Sequence, residues 1–161
     1  NQDSPSKELL STLQTVEKTS NDVRQIAHNL MTSELIKSGL VSAIQSILDQ
    51  LNSDELNAQL YAHNMEQRID TVKEVHLFRI TQEVIQNVLK HAKAKNLTIY
   101  LNKYAKHLSL MVEDDGDGFI ENTNEGMGIG GIKQRVEQLK GSLNIDSSKG
   151  RGTTFNLQIP V

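Results

Sequence analysis

The chain has no cysteine and no tryptophan among its 161 residues. Without cysteine it can form neither a disulfide nor a thiolate metal site, which fits a reducing compartment. It has no apolar run near the roughly 20 residues that cross a membrane as a helix, and no signal-peptide pattern. It has no strong excess of either charge. Lys and Arg number 17 against 20 Asp and Glu, for a net charge of -3. Nothing in that balance calls for nucleic acid or an anionic membrane as a partner. Internal repeats and low-complexity tracts are also missing. What remains is 37% hydrophobic and 23% charged, enough for one folded domain plus an extra element. The chain opens on Asn1 rather than Met and reads as a piece of a longer protein, so the missing membrane segment says nothing of the parent.

From Lys7 to Met31 no Pro or Gly interrupts. Leu9, Leu13, Val16, Ser20, Val23, Ala27 and Leu30 recur at steps of four and three. This heptad seam with one polar layer predicts either a helix packed on its own domain or one strand of an oligomeric bundle. A second helix is predicted from Gly39 to about Leu51, capped by Ser38, with Leu40, Ala43, Ile44, Ile47 and Leu48 inward. Leu56, Ala58, Leu60 and Ala62 alternate as a strand. A long helix follows, capped by Asp70, running to about Ala94 and burying Leu77, Ile80, Val84 and Val88. Strands are predicted over Asn96 to Lys103 and His107 to Glu113. A helix is expected over Ile132 to Lys140, and strands at Leu143–Ile145 and Thr153–Val161 close the chain.

Three stretches carry candidate chemistry. Asp114-Asp115-Gly116-Asp117-Gly118 ends a strand. It reads as a solvated turn, or as a pocket where glycines admit a ligand and a fixed carboxylate accepts from an amine. On the long helix, Glu83, Asn87 and His91 share a face, with Lys90 beside them. They are either the helix's wet side or a set able to meet a metal ion, phosphates and a water. Gly126-Met127-Gly128-Ile129-Gly130-Gly131 feeds a helix start, where free N–H groups and the positive dipole end favour phosphate. No Gly-Lys-Ser/Thr follows, so it is not a Walker loop.

Glu83 to His91, Asp114 to Gly118, Gly126 to Gly130 and Gly150 to Thr154 together resemble, in order and spacing, the N, G1, G2 and third glycine boxes of a known ATPase superfamily. Sensor histidine kinases, DNA gyrase, the ninety-kilodalton chaperones and mismatch-repair ATPases share it. The N-box run Gln82 to Ala92, the stretch Gly128 to Leu139, and Asp22-Val23-Arg24, Leu30-Met31 and Gly39-Leu40 are similar to the nitrate-sensor and lipid-fluidity-sensor subfamily of histidine kinases. The resemblance implies a two-layer α/β sandwich of the Bergerat type with a mixed, mostly antiparallel sheet, preceded by a long N-terminal helix. Residues 1–38 would be the second dimerisation helix and linker, and 39–161 the ATP-binding catalytic domain.

Roles follow from the same resemblance. Asp114 would accept from the adenine amino group, with Gly152 and Thr153 supporting it and Gly116 and Gly118 backing the purine. Asn87 would ligate Mg²⁺. Glu83 would orient or deprotonate the attacking group, with Lys90 and His91 toward the phosphates. Gly126, Gly128 and Gly130 would form a hinged lid. The implied activity moves the γ-phosphoryl group of ATP to a histidine on a dimerisation helix upstream of Asn1, then to a response-regulator Asp. The chain alone would not autophosphorylate. The implied partners are a second copy, through the N-terminal helix, and a response regulator. The domain would be cytoplasmic, with any membrane anchor upstream. His28 resembles an acceptor locally but lacks a following acid, and is read as structural or interfacial. Two other readings share the fold: a serine kinase that restrains a sigma factor, and a non-catalytic nucleotide-driven dimer switch.

Overall fold

The computed structural model describes residues 33–119 and 128–161. The heptad helix of Lys7 to Met31, His28 and Gly126 lie outside the described residues. The first described element, α1, is the helical run 33–51. The expected start at Gly39 is corrected. Helix is already present at 33, and Gly39 sits within the run at φ +87. A left-handed residue does not continue a right-handed helix, so the chain bends where glycine tolerates it. Leu40, Ala43, Ile44 and Leu48 are buried below the bend as expected.

Strand β1 (Asn57–His63) leads into α2 (Thr71–Asn87), whose N-cap Asp70 accepts from the Val72 and Lys73 amides at 3.0 and 3.2 Å. The long helix does not run on regularly to Ala94. After Asn87 it widens into a π-helical turn, Val88–Ala92, and ends on left-handed Lys93. Then come β2 (Asn96–Lys103), β3 (His107–Asp114), α3 (Ile129–Gln138), β4 (Ser142–Ser147) and β5 (Thr153–Pro160). Helix α3 starts three residues earlier than periodicity suggests, taking Gly130 and Gly131 inside it.

The strands form one sheet in the order β1-β2-β3-β5-β4. The β1–β2 pair is parallel and the other three are antiparallel. A parallel pair needs a crossover, and α2 supplies it. Alternate residues of β2, β3 and β5, such as Ile99, Leu110 and Leu157, are buried in one cluster with Leu77, Val84 and Ile132 of the helices. Each such side chain contributes roughly 1.5–3 kcal/mol on burial. The other face of the sheet is more polar. It carries a stacked Tyr61–Tyr100 pair at 5.4 Å, with Tyr61 exposed.

One guanidinium ties α1 to α2. Arg68 donates to the Leu35 carbonyl at 3.0 Å, to the Ile36 carbonyl at 2.8 Å, and to both oxygens of Glu74. Glu74 stands in the first turn of α2 and is only 2% exposed. A buried carboxylate is tolerated when its charge is paired and its lone pairs are filled. Arg68→Ala strands that charge and uncovers two carbonyls, so the melting temperature should fall. Adding Glu74→Gln should recover part of the loss, because the stranded charge is then gone. Melting curves of both variants that overlay the wild type would show that the junction contributes nothing.

Candidate nucleotide site

The acidic run is more than a bare turn, because each acid has its own partners. Asp114 ends β3, paired with Leu97 of β2 on one side and Thr153 of β5 on the other. Its Oδ1 accepts from the Gly116 amide at 2.9 Å. Burial pushes its carboxyl above the ordinary carboxylate value, and the Asp115 charge adds to this. The amides of Gly116 and Thr153 pull the other way. Asp115 turns outward and clamps the start of β2, accepting from the Lys95 and Asn96 amides at 2.8 Å and from Asn96 Nδ2 at 2.7 Å. What burial it has would raise its pKa, but these donors outweigh that and hold it below the usual range. Asp117 is exposed beside Lys93 at 3.4 Å.

Two close approaches explain why glycine is needed. The Ala92 carbonyl, at the end of the π-helical turn, accepts from the Asp117 amide at 2.6 Å. A Cβ at Gly116 would run into that same carbonyl. Gly128, the N-cap of α3, has φ +70, and a Cβ there would collide with the Glu83 carboxylate. By contrast, Gly130 has open space around its Cβ position, inside the first turn of α3.

Between the π-helical turn, the end of β3 and β5 lies a cleft open to solvent. Asn87, His91, Asp114, Gly118, Phe119 and Thr153 line it. Of the predicted residues, the structure therefore brings Asn87, His91, Asp114, Gly118 and Thr153 together. Gly116 and Gly152 pack immediately behind, and a Cβ on Gly152 would overlap the Asp114 backbone carbonyl. Glu83 sits one turn back along α2 and lines a neighbouring cavity with Gly128. Lys90 is exposed on the π-helical turn and lies outside the residues lining the cleft.

Sequence reasoning missed Ser147. Its hydroxyl accepts from the Phe119 amide at 2.8 Å and lies 2.9 Å from Thr153 Oγ1, holding the apolar wall of the cleft against β5. No spacing marks that serine, since it reaches the cleft only through the β4–β5 register. Arg79 was missed too. It precedes Glu83 by four residues, so the helical step through Glu83, Asn87 and His91 could have found it.

The cleft suits a flat ligand with an amine and a charged tail. Phe119 and Phe155 give apolar walls, the half-buried Asp114 gives a charge-assisted acceptor, and the α3 N-terminus, which has no side-chain cap at Gly128, gives N–H donors. Asn87 Nδ2 is buried with no hydrogen-bond partner among the described residues. Such an orphaned amide at a cleft wall awaits a ligand. No group of three or more His, Cys, Asp or Glu able to hold a metal exists among the described residues. Any ion here would therefore draw most of its oxygens from the ligand and water.

Residues 72–161 match the family model described as histidine kinase-, DNA gyrase B- and HSP90-like ATPase. Sensor histidine kinase ComP of Bacillus subtilis (strain 168) is 32% identical over 143 residues, which cover 86% of this chain and 19% of that protein. Signal transduction histidine-protein kinase/phosphatase DegS of the same strain is 31% identical over 134 residues, covering 76% of this chain and 34% of that protein. The chain thus spans about a fifth to a third of the length of these curated relatives. The blue-light activated histidine kinase of Erythrobacter litoralis EL346 superposes with a TM-score of 0.67 at 22% identity, over 90% of this chain and 49% of that one. Histidine kinase AdeS of Acinetobacter baumannii gives a TM-score of 0.59 at 17% identity, over 98% and 86%. At those identities the two structures speak to the fold, which is the expected α/β sandwich. The family match spans more than half the sequence and takes in the whole cleft, and on it the chain belongs to the histidine kinase-, DNA gyrase B- and HSP90-like ATPases, whose ligand is ATP.

Proposed function

We propose that this chain is the ATP-binding catalytic domain of a two-component sensor histidine kinase. In this reading it transfers the γ-phosphoryl group of ATP to a histidine on a dimerisation helix, for relay to an Asp of a response regulator. The observation that carries it is the pairing of an adenine-type acceptor, Asp114, with Asn87 in one cleft and with Glu83 one turn further along the same helix. Adenine binding alone needs neither Asn87 nor Glu83, so their placement favours a catalyst over a nucleotide-driven switch. The names of two relatives, a sensor histidine kinase and a signal transduction histidine-protein kinase/phosphatase, favour it over a serine kinase acting on a sigma factor.

Each residue then has a physical task. Asp114 accepts from the exocyclic amine of adenine, and the purine lies against Phe119, Gly116 and Gly118. Asn87 would hold Mg²⁺ through its side-chain oxygen, leaving the orphaned Nδ2 to donate to a phosphate oxygen. Bound there, the ion would neutralise phosphate charge. Glu83 orients the attacking imidazole and takes up its proton. His91 and Lys90 offer positive or hydrogen-bonding partners to the phosphates, and the glycines at 126, 128 and 130 let the α3 N-terminus close over them. In the parent protein the N-terminal helix would pair with that of a second copy.

Asp114→Asn tests the adenine contact. A charge-assisted bond becomes a neutral one, so ADP affinity should fall by roughly 1.5–3 kcal/mol. Folding stability should move the other way. A carboxyl whose pKa is raised in the fold subtracts stability once the pH exceeds that raised value, so the ligand-free Asn variant should melt no lower than wild type at neutral pH. In the wild type, acidification through the raised pKa protonates Asp114 and should weaken ADP before the fold is lost. Calorimetry across pH that shows Asn and wild type binding alike would remove Asp114 from the site.

Glu83→Gln and Asn87→Ala separate chemistry from binding. Glu83→Gln keeps shape and loses the charge. ATP affinity should hold while phosphoryl transfer to a supplied acceptor helix falls by about 10²–10⁴. Asn87→Ala should damage Mg-dependent triphosphate affinity and transfer together. Transfer at the wild-type rate by Glu83→Gln would return the advantage to the non-catalytic switch.

A further inference from the structure

Ser147, Thr153 and Asp114 stand in one row across three strands. The register pairs Ser147 of β4 with Thr153 of β5, and Thr153 with Asp114 of β3. Residues directly opposite one another present their side chains to the same face of a sheet. Thr153 and Asp114 line the nucleotide cleft, while Ser147 stands on the far side of Thr153, outside the lining.

The Ser147 hydroxyl makes three polar contacts. The Phe119 amide donates to it at 2.8 Å, the Gly152 carbonyl lies at 3.3 Å, and Thr153 Oγ1 lies at 2.9 Å. A hydroxyl has one proton to give and two lone pairs to fill. The amide can only donate, so it takes one lone pair. The carbonyl can only accept, so it takes the proton. What is left for Thr153 is the second lone pair, and Thr153 is then the donor. Any other arrangement leaves one of the three contacts without a proton, and it is this network that assigns the proton positions.

With its own proton turned to Ser147, Thr153 offers a ligand lone pairs and no donor. Beside it the Asp114 carboxylate is an acceptor as well. This end of the cleft therefore presents two acceptors side by side. An amine brings donors to them. A ring carbonyl in the same place brings further lone pairs and meets no proton.

We propose that Ser147 is a positioning residue that sets the base preference of the site. By holding the Thr153 hydroxyl as an acceptor, it favours an aminopurine over an oxopurine. Ser147 acts through Thr153 and touches no ligand itself. The inference rests on the reading above that places the adenine amine at Asp114. Without Ser147, the Thr153 proton is free to turn toward the cleft and serve a carbonyl oxygen. The mark of this role is lost discrimination. A serine that merely braces the wall at Phe119 would, when removed, weaken every base alike.

Calorimetry with ADP and inosine diphosphate, whose base carries a carbonyl where adenine carries its amine, tests this on the wild type, Ser147→Ala, Thr153→Val and the double variant. The wild type should prefer ADP. Ser147→Ala should still bind ADP, with the ADP-to-inosine-diphosphate affinity ratio lowered roughly three- to tenfold, the scale of one hydrogen bond. Thr153→Val should lower the ratio as well. Adding Ser147→Ala to it should change the ratio no further, because two residues that act as one unit are not additive. Equal weakening of both nucleotides by Ser147→Ala would overturn the proposal. So would a full further fall of the ratio in the double variant, since Ser147 would then act without Thr153. Should Ser147→Ala bind neither nucleotide, Thr153→Val decides: a lowered ratio supports the proposal and a wild-type ratio overturns it. A wild type that binds the two nucleotides equally would instead strike the placement of the amine at Asp114, and this inference with it.

Discussion

A carboxylate half buried at the end of an inner strand is the constraint on which the rest of this site depends. Asp114 has β2 on one side and β5 on the other, and it lines the cleft. Its charge is costly there, as the raised pKa records. Amides from Gly116 and Thr153 offset part of that cost, and an amine-bearing ligand would offset more. An acid kept at such an expense in the sheet is what makes this cleft the candidate site.

The neighbouring elements are arranged to keep that carboxylate in place and open to the cleft. Asp115 anchors the turn to β2, so Asp114 does not swing outward. The π-helical turn brings the Ala92 carbonyl down onto the loop, which only a glycine at 116 can accommodate. Widened turns of this sort recur at functional sites because they break the regular spacing of a helix where a ligand must be met. Helix α2 then acts as a ruler. Successive turns present Arg79, Glu83, Asn87 and His91, and the Arg68–Glu74 pair fixes the first turn of that ruler to α1. The placement of α1 and that of the side chains along α2 are thus connected through one buried charge.

The sequence by itself determined the layering. Period-two runs with aliphatic alternation made β2, β3 and β5 legible, because burying one face of a strand requires that pattern. The Asp70 cap and the Leu77, Ile80, Val84 and Val88 stripe did the same for α2, since one helical face must reach the sheet. Asp114, Asn87, Thr153 and Gly118 were legible as candidates through motif order, and the fold gathers them around one cleft. Tertiary structure alone decided the rest. The bend at Gly39, the π-helical turn and the early start of α3 depend on what each backbone segment meets across space, and local periodicity carries no record of that. Ser147 joins the cleft through strand register, and Glu83 meets Gly128 only because two helices far apart in sequence pack side by side. Composition shows that three acids stand together in the run after β3. Only the fold decides which one is buried, because desolvation is a property of position in space.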